Sequence, residues 1–381
     1  MRILFVIDKM KNFAGIERIL SCKMNYISEQ TTHEVFLTTY EQQSLDLPFQ
    51  LNSKISYKTM NVPMPQWGNT TFGNWLKDYY HARRSYKQQF YHLLKDIQPH
   101  IVICTVYSFQ VLDIIIDTSA RLGIKTIVES HTKGETVTIA HKAKYNRYLY
   151  NLMSYWDHHI LRSLKRCQCV VTLTKQDIPF WQDYAPRIEV IPNMLTIQPK
   201  RVENYAAKRV ISAGRYMSEK GFDRLLKAWN LLGQQFSDWH LYIFGNGERR
   251  LYQQIVEQLH LGSTVHLMPA TNDIAEEFSR SSIYVMSSRY EGFGLVLAEA
   301  MSCGLPCVSF DCPYGPREII TDGEDGLLAE DGNIKELTHK IGSLMAHEEQ
   351  RKKMGKKAVT NIARYSPESI MPQWIRLFDS L

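Results

Sequence analysis

The sequence predicts an α/β protein built from two doubly wound, Rossmann-like domains, and three observations carry that expectation. Short runs rich in apolar and β-branched residues, of which residues 2–7 (RILFVI) are the first, alternate with helical patterns along the chain. That alternation is the signature of parallel sheets covered by helices on both faces. The chain has 381 residues, more than one hydrophobic core usually serves, so two domains are expected. The alternation lapses over residues 195–208, around Pro199, and then restarts, which places a linker there.

In the first domain, residues 1–194, strand 2–7 leads into a loop with Gly15 and a helical pattern through Ile16, Ile19, Leu20 and Met24. Strands follow at 34–39 and 55–60. The Pro, Gly and Asn content of 62–75 predicts a loop bearing Trp67, Phe72 and Trp75. A helix is expected from Tyr86 to Ile97, stopped by Pro99, and another from Leu112 to Leu122, ending near Gly123. Ile101–Cys104, Thr126–Glu129, Val170–Thr174 and Ile188–Ile191 read as strands, and Pro179 as the interruption of a helix. The second domain, residues 209–365, restarts the pattern. Strands are expected at 209–212, 241–244, 264–267, 282–286 and 307–310, with helices at 223–232, 249–259, 275–280, 295–303 and 335–347. Residues 366–381 form an amphipathic helix carrying Trp374, Leu377 and Phe378, expected to return to the first domain.

Composition narrows the class. Hydrophobic content of 44% with 22% charged residues is that of a globular protein. No apolar run approaches the ~20 residues that span a bilayer, and Asp8 ends the run Ile3–Ile7, so the N-terminus reads as a strand and not a signal peptide. A cytoplasmic location is expected. The seven cysteines lack metal-ligand spacing and read as reduced, packed thiols. The net charge of +6 is uneven: residues 1–200 hold 24 Lys and Arg against 16 Asp and Glu, residues 201–381 hold 21 against 23. The basic first half suits an anionic surface or partner. Its basic-aromatic segment 141–166, with Trp67, Phe72 and Trp75, is a candidate for contact with the inner face of an anionic membrane. No basic cluster is dense enough to predict nucleic-acid binding.

Three loops after second-domain strands carry the chemistry, and ligands are expected where the strands end, along a cleft. In the run SSRYEGFGLVLAEAMSCGLPCV (287–308), a Gly-punctuated loop precedes a helix from Leu295 to Cys303. That helix is apolar nearly all round yet carries Glu299, costly to bury unless something hydrogen-bonds to it. Helix rise puts Glu299 roughly 7.5 Å beyond Gly294. A phosphate on the backbone N–H groups near Gly294 and Leu295 would leave Glu299 near the next group of the ligand. The loop 213–222 offers Arg215 and Lys220, which suit a diphosphate through bidentate and point-charge contacts. The turn Phe244–Glu248 has Gly245 and Gly247 but lacks the third glycine of a dinucleotide fingerprint; it permits close approach of backbone to a ligand.

The runs GRYMSEKGFDRLLKAW, FGNGE and SSRYEGFGLVLAEAMSCGLPCV together resemble the signature segments of the family 4 glycosyltransferases, retaining enzymes of the GT-B architecture that use nucleoside-diphosphate sugars. The resemblance covers the second domain and, less closely, the first. It implies that Arg215 and Lys220 hold the donor diphosphate, and that Glu291 and Glu299, which match a Glu-x7-Glu motif, face the donor sugar and the ribose hydroxyls. Phe293, Gly294 and Leu295 then lie under sugar and phosphate. His131, in IVESHTKG, matches a catalytic-site histidine, and Gly15, in FAGIERI, sits where members show a glycine pair, here with Ala14 in place of one. No Asp-x-Asp occurs, so cationic side chains, and neither metal nor cofactor, are expected to stabilise the departing diphosphate. The run DCPYGPREIITDGEDGLL resembles segments of members that assemble exopolysaccharide, capsule or lipopolysaccharide; a UDP-sugar donor and a glycan or lipid-linked acceptor are the expected substrates. A nucleoside-diphosphate-sugar 2-epimerase and a non-catalytic sugar-nucleotide-binding partner are the alternatives.

Overall fold

The computed structural model describes residues 1–11, 15–42, 44, 46–65, 71–134 and 147–381, the side chains of 147–153 and 234 excepted. The chain divides into two units, residues 1–192 with 371–381, and residues 193–370. Each is an open parallel sheet with helices packed on it, so the two Rossmann-like domains of the sequence reading are present.

Among the described residues the first unit has seven strands: β1 (Arg2–Ile7), β2 (Glu34–Thr39), β3 (Ser56–Thr59), β4 (Ile101–Thr105), β5 (Lys125–Ser130), β6 (Cys169–Thr172) and β7 (Ile188–Val190). They lie in the order 3-2-1-4-5-6-7 and every pairing is parallel. β4 is buried along its whole length, as its unbroken apolar run requires. Helices α1 (Gly15–Gln30), α2 (Phe72–Ile97), α3 (Leu112–Arg121), α4 (Arg147–Ser163) and α5 (Ile178–Trp181) are described in this unit, ahead of the helix that returns to it at the C-terminus. Tyr86, Phe90 and Leu94 of α2 pack with Leu112, Ile115 and Ile116 of α3 against Leu4, Val102 and Val128 of the sheet.

Two local expectations are corrected. The loop expected over 62–75 ends at Thr71, and α2 begins 14 residues before Tyr86. Phe72, Trp75 and Tyr79 stack on one helix face at i, i+3 and i+7, and Trp75 Nε1 donates to the Pro65 carbonyl at 3.1 Å. That aromatic stripe outweighs the Gly73 that reads as a breaker. Pro179 starts α5 rather than interrupting a helix, because at the second helical position its missing N–H has no intrahelical partner to lose.

The second unit has β8 (Arg209–Ala213), β9 (His240–Phe244), β10 (Val265–Met268), β11 (Ile283–Met286), β12 (Cys307–Phe310) and β13 (Gly326–Ala329), all parallel, in the order 10-9-8-11-12-13. Its helices are α6 (Phe222–Leu232), α7 (Arg250–Gln258), α8 (Ile274–Ser279), α9 (Leu295–Cys303), α10 (Pro316–Ile319), α11 (Ile334–Ala346) and α12 (Glu348–Ile362). Residues 195–208, irregular in sequence, are hydrogen-bonded along their length within this unit. Leu195 N–H donates to the Tyr365 carbonyl at 2.8 Å, Val202 N–H to that of Cys303 at 3.0 Å, and Tyr205 Oη to that of Gly304 at 2.9 Å.

The last helix, α13 (Pro367–Asp379), returns the chain to the first unit. Trp374 covers the Lys23 ammonium at 3.7 Å, Phe378 meets His33 edge-on at 6.3 Å, and Ser380 Oγ accepts from Arg187 at 3.1 Å. All seven cysteines are free thiols, six of them buried. Among the described residues no helix is long and apolar enough to cross a membrane.

Candidate functional site

In an open parallel sheet a crevice forms at the carboxyl ends of two neighbouring strands whose connections leave in opposite directions. In the second unit those strands are β8 and β11, which pair through Val210–Ile283 and Ile211–Tyr284. The loop after β8 carries Arg215 and Lys220, and the loop after β11 carries Glu291, Phe293 and Gly294. Topology therefore brings together residues about 75 positions apart in sequence.

The two loops are bolted to each other. The Arg289 guanidinium grips Asp223 of α6 through two N–H···O bonds of 2.8 Å and donates to the Ser218 carbonyl at 2.6 Å. Hydrogen bonding in this fork holds the Asp223 carboxyl below its usual range and Arg289 above its own. Arg289 N–H also donates to the Glu219 carbonyl, and Ser287 Oγ to that of Lys220. On the other side the 244–248 turn is joined to the same loop: Tyr216 N–H donates to the Asn246 carbonyl at 2.7 Å, and a Cβ on Gly245 would stand 1.9 Å from the Gly214 carbonyl oxygen. Gly247 bridges Tyr216. What these two glycines admit closely is the 214–216 backbone.

Lys220 Nζ lies 2.7 and 3.0 Å from the two carboxylate oxygens of Glu291, and Ser288 Oγ donates to Glu291 Oε1 at 2.5 Å. Arg215 is exposed, and among the described residues its guanidinium has no hydrogen-bond or ion-pair partner. Gly294 has φ of +93°, a conformation L side chains rarely adopt, and with it the chain turns directly from the loop into α9. Leu295 is then the first residue of α9. The Phe293 ring faces the core, edge-on to Tyr365 at 5.2 Å, so only its backbone is left to meet a ligand. Glu299 is buried in α9, and its Oε1 accepts from Thr196 Oγ1 at 2.8 Å. Thr196 and Arg289 are the site residues that sequence reasoning missed.

In the first unit Gly15 opens α1 after β1, and Ala14 lies outside the described residues. His131 follows β5, with Nε2 2.9 Å from Glu129 Oε2, the oxygen that also receives the Lys23 ammonium at 2.5 Å. All three side chains are buried. Burial pushes the Glu129 carboxyl up, but Lys23 and then His131 more than offset this and hold it at about 2. Asp177 fixes the loop after β5 by accepting from Ser130 Oγ at 3.0 Å, Gly134 N–H at 3.0 Å and Trp181 Nε1 at 2.7 Å. Of the residues assigned to membrane contact, Trp67 and 141–146 lie outside the described residues, Trp75 is buried in the α2 stack, and Tyr155 and Trp156 of α4 are exposed.

Asp8, at the carboxyl end of β1, is pushed up to about 6, chiefly by burial, with Glu41 adding and the Lys9 backbone offsetting part. Its stability effect has a definite sign. Below pH ~4 both folded and unfolded chains hold the proton; as pH rises toward ~6 only the folded chain still holds it, and stability falls. Asp8→Asn is therefore expected to raise the urea midpoint at pH 8 and to leave it unchanged at pH 3.5, as paired denaturation curves would read.

Over its length the chain is 28% identical to an uncharacterized glycosyltransferase of Haemophilus influenzae, covering 97% of this chain and 98% of that one. It is 26% identical to the amylovoran biosynthesis glycosyltransferase AmsD of Erwinia amylovora, covering 98% of each. Its fold superimposes on a variant of S. aureus TarM in complex with fondaparinux, alpha-GlcNAc-glycerol and UDP with a TM-score of 0.77, at 15% identity and 99% coverage of both chains. The two Rossmann-like units thus have the GT-B fold. Residues 194–360, which hold Arg215, Lys220, Glu291 and Glu299, match the family model described as Glycosyl transferases group 1.

Proposed function

We propose that the chain is a retaining glycosyltransferase that moves a sugar from a nucleoside-diphosphate sugar, by preference a UDP-sugar, to a glycan or lipid-linked acceptor in surface-polysaccharide synthesis. The observation that carries this reading is that Arg215, Lys220, Glu291 and the α9 N-terminus all follow the carboxyl ends of the paired strands β8 and β11, where Lys220 and Glu291 are in contact. The amylovoran relative and the UDP-bound TarM variant support it.

In this reading negative charge grows on the departing nucleoside diphosphate, and groups that meet that charge lower the barrier. Arg215 supplies a forked contact, Lys220 a point charge, and α9 the positive end of its dipole. Glu291 accepts hydrogen bonds from sugar hydroxyls, and Glu299, held by Thr196, from the ribose. Retention follows from attack on the face the diphosphate leaves; Glu291 is a sugar ligand in this scheme and no protein nucleophile is assigned. His131 is the first unit's candidate catalytic residue. The cations make a metal unnecessary, so transfer should survive chelation by EDTA.

A thermal-shift screen over nucleoside diphosphates and their sugars tests the reading, because a ligand that binds only the folded state raises its midpoint. A shift with one nucleotide family, followed by sugar transfer to an added acceptor, is the expected result. Conversion of the sugar nucleotide with no acceptor present would replace transfer by 2-epimerisation.

A further inference from the structure

One contact in the second-unit site sets two of its own residues against the ligand. Lys220 is the ammonium assigned to the diphosphate, yet both oxygens of Glu291 lie within 3.0 Å of it. An ammonium has three N–H donors, and the Glu291 carboxylate occupies the side of Lys220 that it faces. Glu291 is only 9% exposed, and its other partner in the site is the Ser288 hydroxyl. Drawing Lys220 away therefore leaves a nearly buried anion with one neutral donor, which is costly.

We propose that Glu291 competes with the diphosphate for Lys220, so that the site distinguishes a sugar-bearing nucleoside diphosphate from the bare nucleoside diphosphate released after transfer. The inference rests on the donor reading above and assigns a second task to a residue of that site. With the sugar present, its hydroxyls donate to Glu291 and take over from Lys220, which turns to the diphosphate. With the sugar gone, Glu291 has no such donors and reclaims the ammonium. The diphosphate then keeps Arg215 and the α9 N-terminus but shares Lys220, and release is favoured.

The test is calorimetric titration of UDP into wild type, Glu291→Gln, Lys220→Ala and the double variant, with Glu291→Ala as a second removal of the charge. Glu291→Gln and Glu291→Ala should each bind UDP about fivefold more tightly than wild type, the size of one partly solvated ion pair. In the Lys220→Ala background the gain should vanish, since no ammonium is left to release. Equal tightening with and without Lys220 would mean simple repulsion between Glu291 and the diphosphate and would overturn the competition. So would no tightening at all. UDP affinity unmoved by both Lys220→Ala and Arg215→Ala would instead overturn the diphosphate reading itself.

Discussion

Glu291→Gln should reduce the rate of sugar transfer by about a hundredfold or more, the scale of losing one fixed charge at a reacting centre, while the protein stays folded. The side chain keeps its shape and the Ser288 contact, but the amide replaces the charge that pairs with Lys220. A carboxylate accepts hydroxyl protons through both oxygens, whereas an amide offers one acceptor and one donor group. The sugar then loses an orienting contact, and misplacement of the reacting carbon is expensive in rate. Steady-state kinetics with donor and acceptor, beside a circular dichroism spectrum, read the effect. Unchanged transfer in a folded variant would remove Glu291 from the chemistry.

The second large effect lies in the first unit. Glu129→Ala should cost about 3–5 kcal/mol of stability, the range for stripping one partner from a buried ion pair. Lys23 and Glu129 are 4% and 2% exposed at the side chain, so neither can turn to water when its partner is lost. His131 would also lose the group beside its Nε2. Urea denaturation reads the loss. Its pH dependence follows from the depressed carboxyl. Against an ordinary value of 4.5, the Glu129 carboxyl sits at about 2, so its stabilisation is present above pH ~4.5 and drains as pH falls through 2. The gap between wild type and variant should therefore narrow in acid. A gap of the same size at pH 2 and pH 7 would contradict the charged pairing.

The parts of the molecule that could be read in advance are those where local pattern and burial agree. β4 from Ile101 to Cys104 and β11 along its length are apolar because both faces are covered, and each stands where its run places it. The cationic and acidic residues of the site were legible because they sit in loops immediately after strands, where topology directs them toward one end of the sheet. α12 was not legible. Its buried stripe is Arg351, Met354, Gly355, Ala358 and Ile362, in which an arginine and a glycine occupy core positions. Arg351 is buried because it donates to the Tyr205, Leu344 and Met345 carbonyls, and Gly355 because a Cβ there would stand 2.1 Å from the Gly304 carbonyl oxygen. Neither reason shows in a hydrophobic pattern.

The same limit explains the missed site residues. Arg289 is a lone cation in its run until α6 brings Asp223 beside it, 66 residues away in sequence. Thr196 lies in an irregular stretch and meets Glu299 across 103 residues. The carboxylate in α9 predicted that some donor must exist, since burial without one is costly; the identity of the donor came only with the fold. Phe293 shows the converse. Its place beside Gly294 suggests a ligand contact, whereas its ring is core and only its backbone is available.

Arg215 and Lys220 are assigned to a diphosphate site, and calorimetric titration of UDP into wild type, Arg215→Ala and Lys220→Ala decides that assignment. Arg215→Ala should bind more weakly by about 1.5–3 kcal/mol, the contribution of a hydrogen bond to a charged group, with no change in urea midpoint because its guanidinium is exposed, and Lys220→Ala more weakly by a smaller amount, because Glu291 shares its ammonium with bare UDP. Wild-type affinity in both variants would contradict the claim.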